Sequence, residues 1–200
     1  MIDLVFVVDN SGSIRDNNVE GQPDNYEQIQ EFIVSIIEEL TIGSEATLVG
    51  LVRFSDDAKH EFFLNTFPDD KQALISAVRA IGYDRSNTNT AAGIRAMDDV
   101  QFSSTNGDRP NVQNVAIIIT DGVSTVDTLD TIPAAEDARD NGIRIFSVGI
   151  TNATNEAELR LMSSPPHQEN VNWFSATDFS TLNMVTEELV EQTCTDPSKA

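Results

Sequence analysis

Four stretches of the chain are almost continuously apolar and rich in β-branched residues: IDLVFVVD (2–9), ATLVGLVRF (46–54), VAIIITD (115–121) and IRIFSVGI (143–150). They lack the clean in–out alternation of a half-exposed strand, which is the pattern of strands covered on both faces in a parallel sheet. Between them the period changes to that of helices. Ile29, Phe32, Ile33, Ile36, Ile37 and Leu40 form one apolar stripe, and Leu74, Ala77, Val78 and Ile81 form a second that stops at Gly82. A third helix is predicted from Asp130 and Thr131, with Pro133 in its first turn, to the DNG at 140–142. A last one is predicted over roughly 178–193, carrying Phe179, Leu182, Val185, Leu189 and Val190. The segment KHEFFL (59–64) follows the second strand too closely for a crossover and is expected to pair with it antiparallel at an edge.

The order of elements is therefore β-α-β-β-α-α-β-α-β-α-β-α. That is an α/β doubly wound fold: a mostly parallel central sheet with one antiparallel edge strand and helices on both faces. No internal repeat, low-complexity tract or linker interrupts it. Two hundred residues, 40% of them hydrophobic, suit one domain with a substantial core.

Charge narrows the partners. Thirty-three acidic residues against twelve lysines and arginines leave a formal −21, which repels nucleic acids and anionic membranes and favours cations, basic proteins or mineral surfaces. Solubility alone, or a saline habitat, accounts for the same number equally well. No apolar run approaches the ~20 residues that cross a bilayer. Met1 runs straight into strand-like sequence with no signal peptide, as expected of an excised domain. The single Cys194 implies either a missing or intermolecular partner or a free thiol, and NAT at Asn152 fits the N-glycosylation triplet.

In doubly wound sheets, ligands sit beyond the carboxyl ends of the strands at the topological switch point. Asp9 and Asp121 end two strands expected to be neighbours in mid-sheet. Three loops can converge there: DNSGS (9–13), SNTNT (86–90) and TDGVSTVD (120–127). Their side chains are carboxylates, hydroxyls and amides, the donors that a hard cation such as Mg²⁺ or Ca²⁺ takes. If 9–13 is extended, Ser11 and Ser13 project to one side with Asp9 below. A threonine of the second loop and Asp121 would complete half a shell and leave a position open for a partner's carboxylate. Taken singly, each loop is also ordinary cap or Asx-turn chemistry; it is their coincidence at one sheet edge that favours a site.

These segments, DLVFVVDNSGSI, SNTNTAAGI and VAIIITDGVS, resemble the three ion-site segments of the von Willebrand factor type A domain, the family of integrin inserted domains, matrilins and collagen non-collagenous domains. The resemblance covers residues 2 to 194, so a domain over 1–194 followed by a tail at 195–200 is expected. It implies a metal-ion-dependent adhesion site formed by Asp9, Ser11, Ser13, Thr88 and Asp121, with Thr90 supporting the loop. The implied ion is Mg²⁺ (or Mn²⁺ or Ca²⁺), and an acidic residue of a protein ligand completes its shell. It further implies a secreted, extracellular-matrix setting, with collagen or another matrix protein as partner. In integrin relatives the last helix shifts on ligand binding.

Three departures stand out. Ser86 and Asn87 replace the glycines that family members often carry before the metal threonine. The rim segment IRDNNVEGQPDNY (14–26) is longer than usual; it is either a surface loop or a second cation site through Asp16, Glu20 and Asp24. Cys194 matches the second of a cysteine pair that is common in extracellular members, without the first.

The alternative reading is an acidic structural matrix protein that binds calcium mineral or basic and collagenous matrix through its charge. Enzyme readings fit poorly. His60, His167 and Cys194 make no nucleophilic triad, and both histidines are expected to be solvated. No phosphate-binding glycine loop is present. A Mg²⁺-dependent phosphohydrolase of the haloacid dehalogenase class would want an acid where Ser11 stands.

Overall fold

The computed structural model describes residues 1–16, 18, 20–21, 23–150, 155–176, 186 and 190. The expected glycosylation triplet at Asn152, the Cys194 thiol, the domain end at 194 and all of the last helix except Thr186 and Val190 lie outside these residues. Those two residues are helical, and Thr186 Oγ1 sits 3.1 Å from Ser35 Oγ.

Six strands form one sheet: β1 (Ile2–Asp9), β2 (Thr47–Phe54), β3 (Ala58–Phe62), β4 (Gln113–Thr120), β5 (Arg144–Ile150) and β6 (Trp173–Ala176). Their order is β3-β2-β1-β4-β5-β6. All neighbours run parallel except β2 and β3, so the antiparallel edge expected at 59–64 is present. Among the described residues the α-helices are α1 (Gly12–Asp16), α2 (Asn25–Glu39), α3 (Lys71–Arg79), α4 (Thr90–Ala96), α5 (Thr131–Asp140) and α6 (Glu156–Met162). The first of these is absent from the sequence-based expectation, because one turn of helix is too short to show a period.

Both faces of the sheet are buried. On one, Leu4, Phe6 and Val8 of β1 pack with Ile29, Phe32, Ile33, Ile36 and Ile37 of α2 and with Leu74 and Val78 of α3. On the other, Val5 and Val7 meet Ala91, Ile94 and Met97 around α4 and Ala134, Ala135 and Ala138 of α5. Alternate β1 residues thus serve different cores, so the strand shows no polar face. Helix α4 lies close on the sheet: a Cβ at Gly93 would come 2.7 Å from the Phe54 ring.

Helix α4 continues as a π turn (Met97–Gln101) that carries Gln101 into the core. Its Nε2 donates to the carbonyls of Leu51 (3.1 Å) and Phe62 (3.0 Å). The β2–β3 register shifts between Leu51 and Val52, so the amide supplies a donor where the ladder is irregular. His60, on β3, is half-buried rather than solvated as expected, with its ring 5.2 Å from that of Phe63.

The sheet reverses its winding between β1 and β4. The first crossover runs from β1 through α2 to β2, and the chain then passes back across β1 to reach β4 on the other side. The carboxyl ends of these two central strands are where a doubly wound fold opens its crevice.

Candidate metal centre

Asp9 ends β1 and Asp121 follows β4, so the strand pairing brings them side by side. Both are buried, at 0% and 1% exposure. A continuous run of short contacts joins four of the five expected site residues. The backbone N–H of Ser11 donates to Asp9 Oδ1 (2.8 Å), and Ser11 Oγ and Ser13 Oγ lie 3.0 Å apart. The Ser13 hydroxyl donates to Asp121 Oδ1 (2.7 Å), and Thr120 Oγ1 donates to Asp9 Oδ2 (2.6 Å).

The local conformation differs from the extended segment expected over 9–13. Ser11 makes one parallel bridge to Ser86, and the chain then turns into α1 at Gly12. The serine hydroxyls still meet, now across the entry to a helical turn. The Ser86 carbonyl accepts the Gly12 N–H at 2.8 Å, which fixes the start of this turn.

Thr88 is buried and joins the site through its backbone rather than through the hydroxyl–carboxylate chain. Its carbonyl accepts the N–H groups of Thr125 (2.8 Å) and Val126 (3.1 Å), while its N–H donates to Thr125 Oγ1 (3.1 Å). Thr90 is the first residue of α4, capped by Asn89 through a bond to the Ala92 N–H (3.0 Å). The loops at 86–90 and 120–127 are therefore stitched together, and Ser86 ties the pair to Gly12.

Sequence reasoning missed the residues that hold these loops. Asp56, in the β2–β3 turn, accepts from Ser86 Oγ and from Asn87 Nδ2 (2.6 Å), so the two residues standing in place of glycines have a common partner. Asn10 is fully buried. Its amide donates to Tyr26 Oη and to the Gly82 carbonyl, both at 2.8 Å, and its oxygen accepts the Asp84 N–H at 2.6 Å. Asp84 in turn pairs with the buried Arg53, which also meets Glu61 at 2.5 Å. No motif marks these contacts, and most of them join segments thirty or more residues apart.

Among the described residues the rim segment gathers no second cation site. Asp16 pairs with Arg85 (2.6 Å), and Asp24 pairs with Arg15 (2.8 Å) while capping α2 through the N–H groups of Tyr26 and Glu27. Glu20 is exposed. The carboxylates of Asp16 and Asp24 are thus committed to different arginines.

Burial pushes the Asp9 carboxyl above the ordinary range; bonds from Ser11, Thr120 and the Asp121 backbone pull the other way without cancelling it. Among the described residues, no lysine, arginine or histidine forms an ion pair with Asp9. A buried carboxylate is ordinarily paired or bound to a metal. The donor set around it consists of hydroxyls and one more carboxylate, all hard oxygens, and so fits Mg²⁺, Mn²⁺ or Ca²⁺. Among the described residues no group of three His, Cys, Asp or Glu could hold a metal, so any ion here depends on hydroxyl oxygens for much of its shell.

Fold and site together define a doubly wound domain with a cluster of oxygen donors at its switch point. The family model described as von Willebrand factor type A domain matches residues 3–189, and the chain belongs to that family. Matrilin-1 of Gallus gallus is 36% identical over 195 residues, 98% of this chain and 37% of that protein. The human collagen alpha-1(XX) chain is 36% identical over 180 residues, 90% of this chain and 13% of that one. The chain thus spans about a third or less of these relatives. Among solved structures, proximal thread matrix protein 1 from the mussel byssus, in a form described as having a zinc-occupied MIDAS motif, superposes with a TM-score of 0.88. It is 21% identical, over 96% of this chain and 48% of that chain. Manganese-loaded Plasmodium vivax TRAP superposes with 0.73 at 19% identity, over 94% and 73%. At these identities the structures establish the fold alone.

Proposed function

We propose that this domain is an adhesion or matrix-assembly module of the extracellular matrix. It binds one divalent cation through Asp9, Ser11, Ser13, Thr88 and Asp121, and holds a protein ligand through an acidic residue of that ligand. The observation that carries this reading is the wholly buried Asp9 carboxylate, without a cationic side-chain partner among the described residues, at the convergence of three hydroxyl-bearing loops. The bound ion would supply positive charge to an open coordination position. Matrix relatives, matrilins and a collagen among them, support an extracellular setting and a non-enzymatic role. Among the described residues no helix is long and apolar enough to cross a membrane.

The expected ion is Mg²⁺ (or Mn²⁺ or Ca²⁺), and collagen or another matrix protein is the expected partner. Calorimetric titration of Mg²⁺ and Mn²⁺ into the wild type and Asp9→Ala tests the site. Heat of binding is expected only from the wild type, and equal heats from both would sink it.

The −21 charge favours a second reading, in which the surface itself binds calcium mineral or basic matrix proteins. Binding to calcium carbonate that survives Asp9→Ala and fades with added salt would mark that mode, because screening weakens contacts between exposed charges.

A further inference from the structure

The backbone of the cation loop is held by groups that no part of the site motif includes. Tyr83 Oη donates to the Ser11 carbonyl at 2.6 Å, lies 3.1 Å from the Gly12 carbonyl, and accepts the Arg15 N–H at 3.3 Å. The Arg15 guanidinium carbon stands 4.4 Å from the centre of the Tyr83 ring and 6.0 Å from that of Tyr26; the two rings are 5.1 Å apart. Arg15 Nε is held by Asp24 at 2.8 Å, and Asp24 caps α2. A connected path thus runs from the cap of α2 through Asp24, Arg15 and Tyr83 to the peptide between the two site serines.

The path has a chemical consequence. Ser11 and Gly12 carry carbonyl oxygens as well as the hydroxyl neighbours that face the site. A cation loop binds tightly only if its intended donors are held within a fraction of an ångström and its other oxygens are kept turned away. The Tyr83 hydroxyl engages the Ser11 carbonyl with its one proton and so fixes the orientation of the peptide between the two site serines. Its ring is in turn held by a tilted contact with the Tyr26 ring, at 46° between planes, and by the guanidinium over its face.

We propose that Tyr83 is the positioning residue of the cation loop, and that Arg15 and Asp24 set it, so that these two rim residues govern how tightly the loop holds its ion. A basic side chain of a partner that draws Asp24 away from Arg15 loosens the loop; a partner that leaves the pair intact does not. This rests on the cation reading given above, and the test separates the two.

Mn²⁺ binding to the 200-residue chain is followed by water-proton relaxation, which reports both affinity and the number of waters left on the ion. Tyr83→Phe is expected to weaken Mn²⁺ binding by about tenfold, in the range seen when a supporting group of a metal site is lost. Arg15→Gln is expected to weaken it less. The double variant is expected to be no weaker than Tyr83→Phe alone, because both act through one contact. Arg109→Lys, at the opposite end of the sheet, is the control for a general loss of stability and is expected to leave Mn²⁺ affinity unchanged.

Wild-type affinity in Tyr83→Phe together with loss of binding in Asp9→Ala overturns the positioning role and leaves the cation site standing. Equal weakening by Tyr83→Phe and Arg109→Lys, or full additivity of Tyr83→Phe with Arg15→Gln, overturns it as well. Absence of Mn²⁺ binding in the wild type overturns the cation reading and this inference with it.

Discussion

Thr120 donates its hydroxyl proton to Asp9 Oδ2 at 2.6 Å, at the top of the β1–β4 pair. This bond and the Ser11 N–H hold both carboxylate oxygens of a residue with no exposed surface. Neither supplies charge. An ionised Asp9 is therefore a cost to the metal-free protein that a cation offsets. Asp9→Asn keeps an oxygen acceptor and removes the charge. In the presence of a chelator it is expected to melt at or above the wild-type temperature. Mg²⁺ or Mn²⁺ at about a hundred times Kd should stabilise the wild type by about 2.7 kcal/mol and leave Asp9→Asn unmoved. Scanning calorimetry with and without the ion reads both; an undiminished upward shift in the variant would argue against Asp9 as a ligand.

A second prediction concerns the loop of Thr88. Asp56 holds both Ser86 and Asn87, the residues that replace the flexible glycines of many relatives. Those hydrogen bonds, first Ser86 and then Asn87, set its carboxyl below the ordinary value. Asp56→Ala releases the loop from the β2–β3 turn without opening the core. Cation affinity is expected to fall by about tenfold, the low end for a supporting residue, with little change in melting temperature. Melting well below wild type with unchanged affinity would assign Asp56 to the fold instead.

The strands were legible because covered parallel strands are nearly uniform in apolar residues, and the edge strand because KHEFFL left no length for a crossover. The convergence of Asp9, Ser11, Ser13 and Asp121 was legible from the rule that sites lie at strand ends, whereas Thr88, expected from the resemblance, meets the neighbouring loop through its backbone. The serines meet for a different reason than expected: the chain enters α1 at Gly12 instead of staying extended. What sequence could not show were single residues acting through space. Asn10 touches Gly82 across 72 positions and Thr120 touches Asp9 across 111, and a lone asparagine, tyrosine or aspartate in a loop carries no periodic signal. The rim segment offered three acids; only geometry shows Asp16 and Asp24 taken by separate arginines.

At the other end of the sheet, Asp3 is wholly buried and its charge is met by Arg109. The guanidinium approaches Asp3 Oδ1 at 2.6 Å, and the Arg109 N–H donates to Oδ2 at 2.8 Å. The same guanidinium donates to the carbonyls of Ile2, Ser44 and Ala46, tying β1 to the turn before β2. Arg109→Met strands the aspartate and is expected to cost about 3–5 kcal/mol. Asp3→Leu with Arg109→Met should recover part of that loss, because no charge is then left buried. Chemical denaturation of the single and double variants measures it, and a double variant no more stable than Arg109→Met would show that the backbone bonds, not the charge pair, dominate.

The last prediction separates the charge of Asp24 from its role as a cap. Partial burial pushes this carboxyl up, but bonds from Asn18, Arg15 and the Glu27 N–H outweigh it, so the group titrates below its ordinary value. A carboxyl with a lower pKa folded than unfolded stabilises the fold above its unfolded value, near 3.9, and that stabilisation is withdrawn as the pH falls through the lower folded value. Asp24→Asn keeps a good capping oxygen and loses the pairing with Arg15. The pair is partly solvated, so its worth is expected to be about 1 kcal/mol or less. The variant should therefore be slightly less stable than wild type at about pH 6, and the difference should close as the pH drops below about 3. Urea denaturation at a series of pH values traces the closure. A gap that is unchanged from about pH 6 down to about pH 2 would mean that Asp24 acts as a cap and not as a charge, and the link from α2 through Arg15 to the cation loop would then have no electrostatic basis.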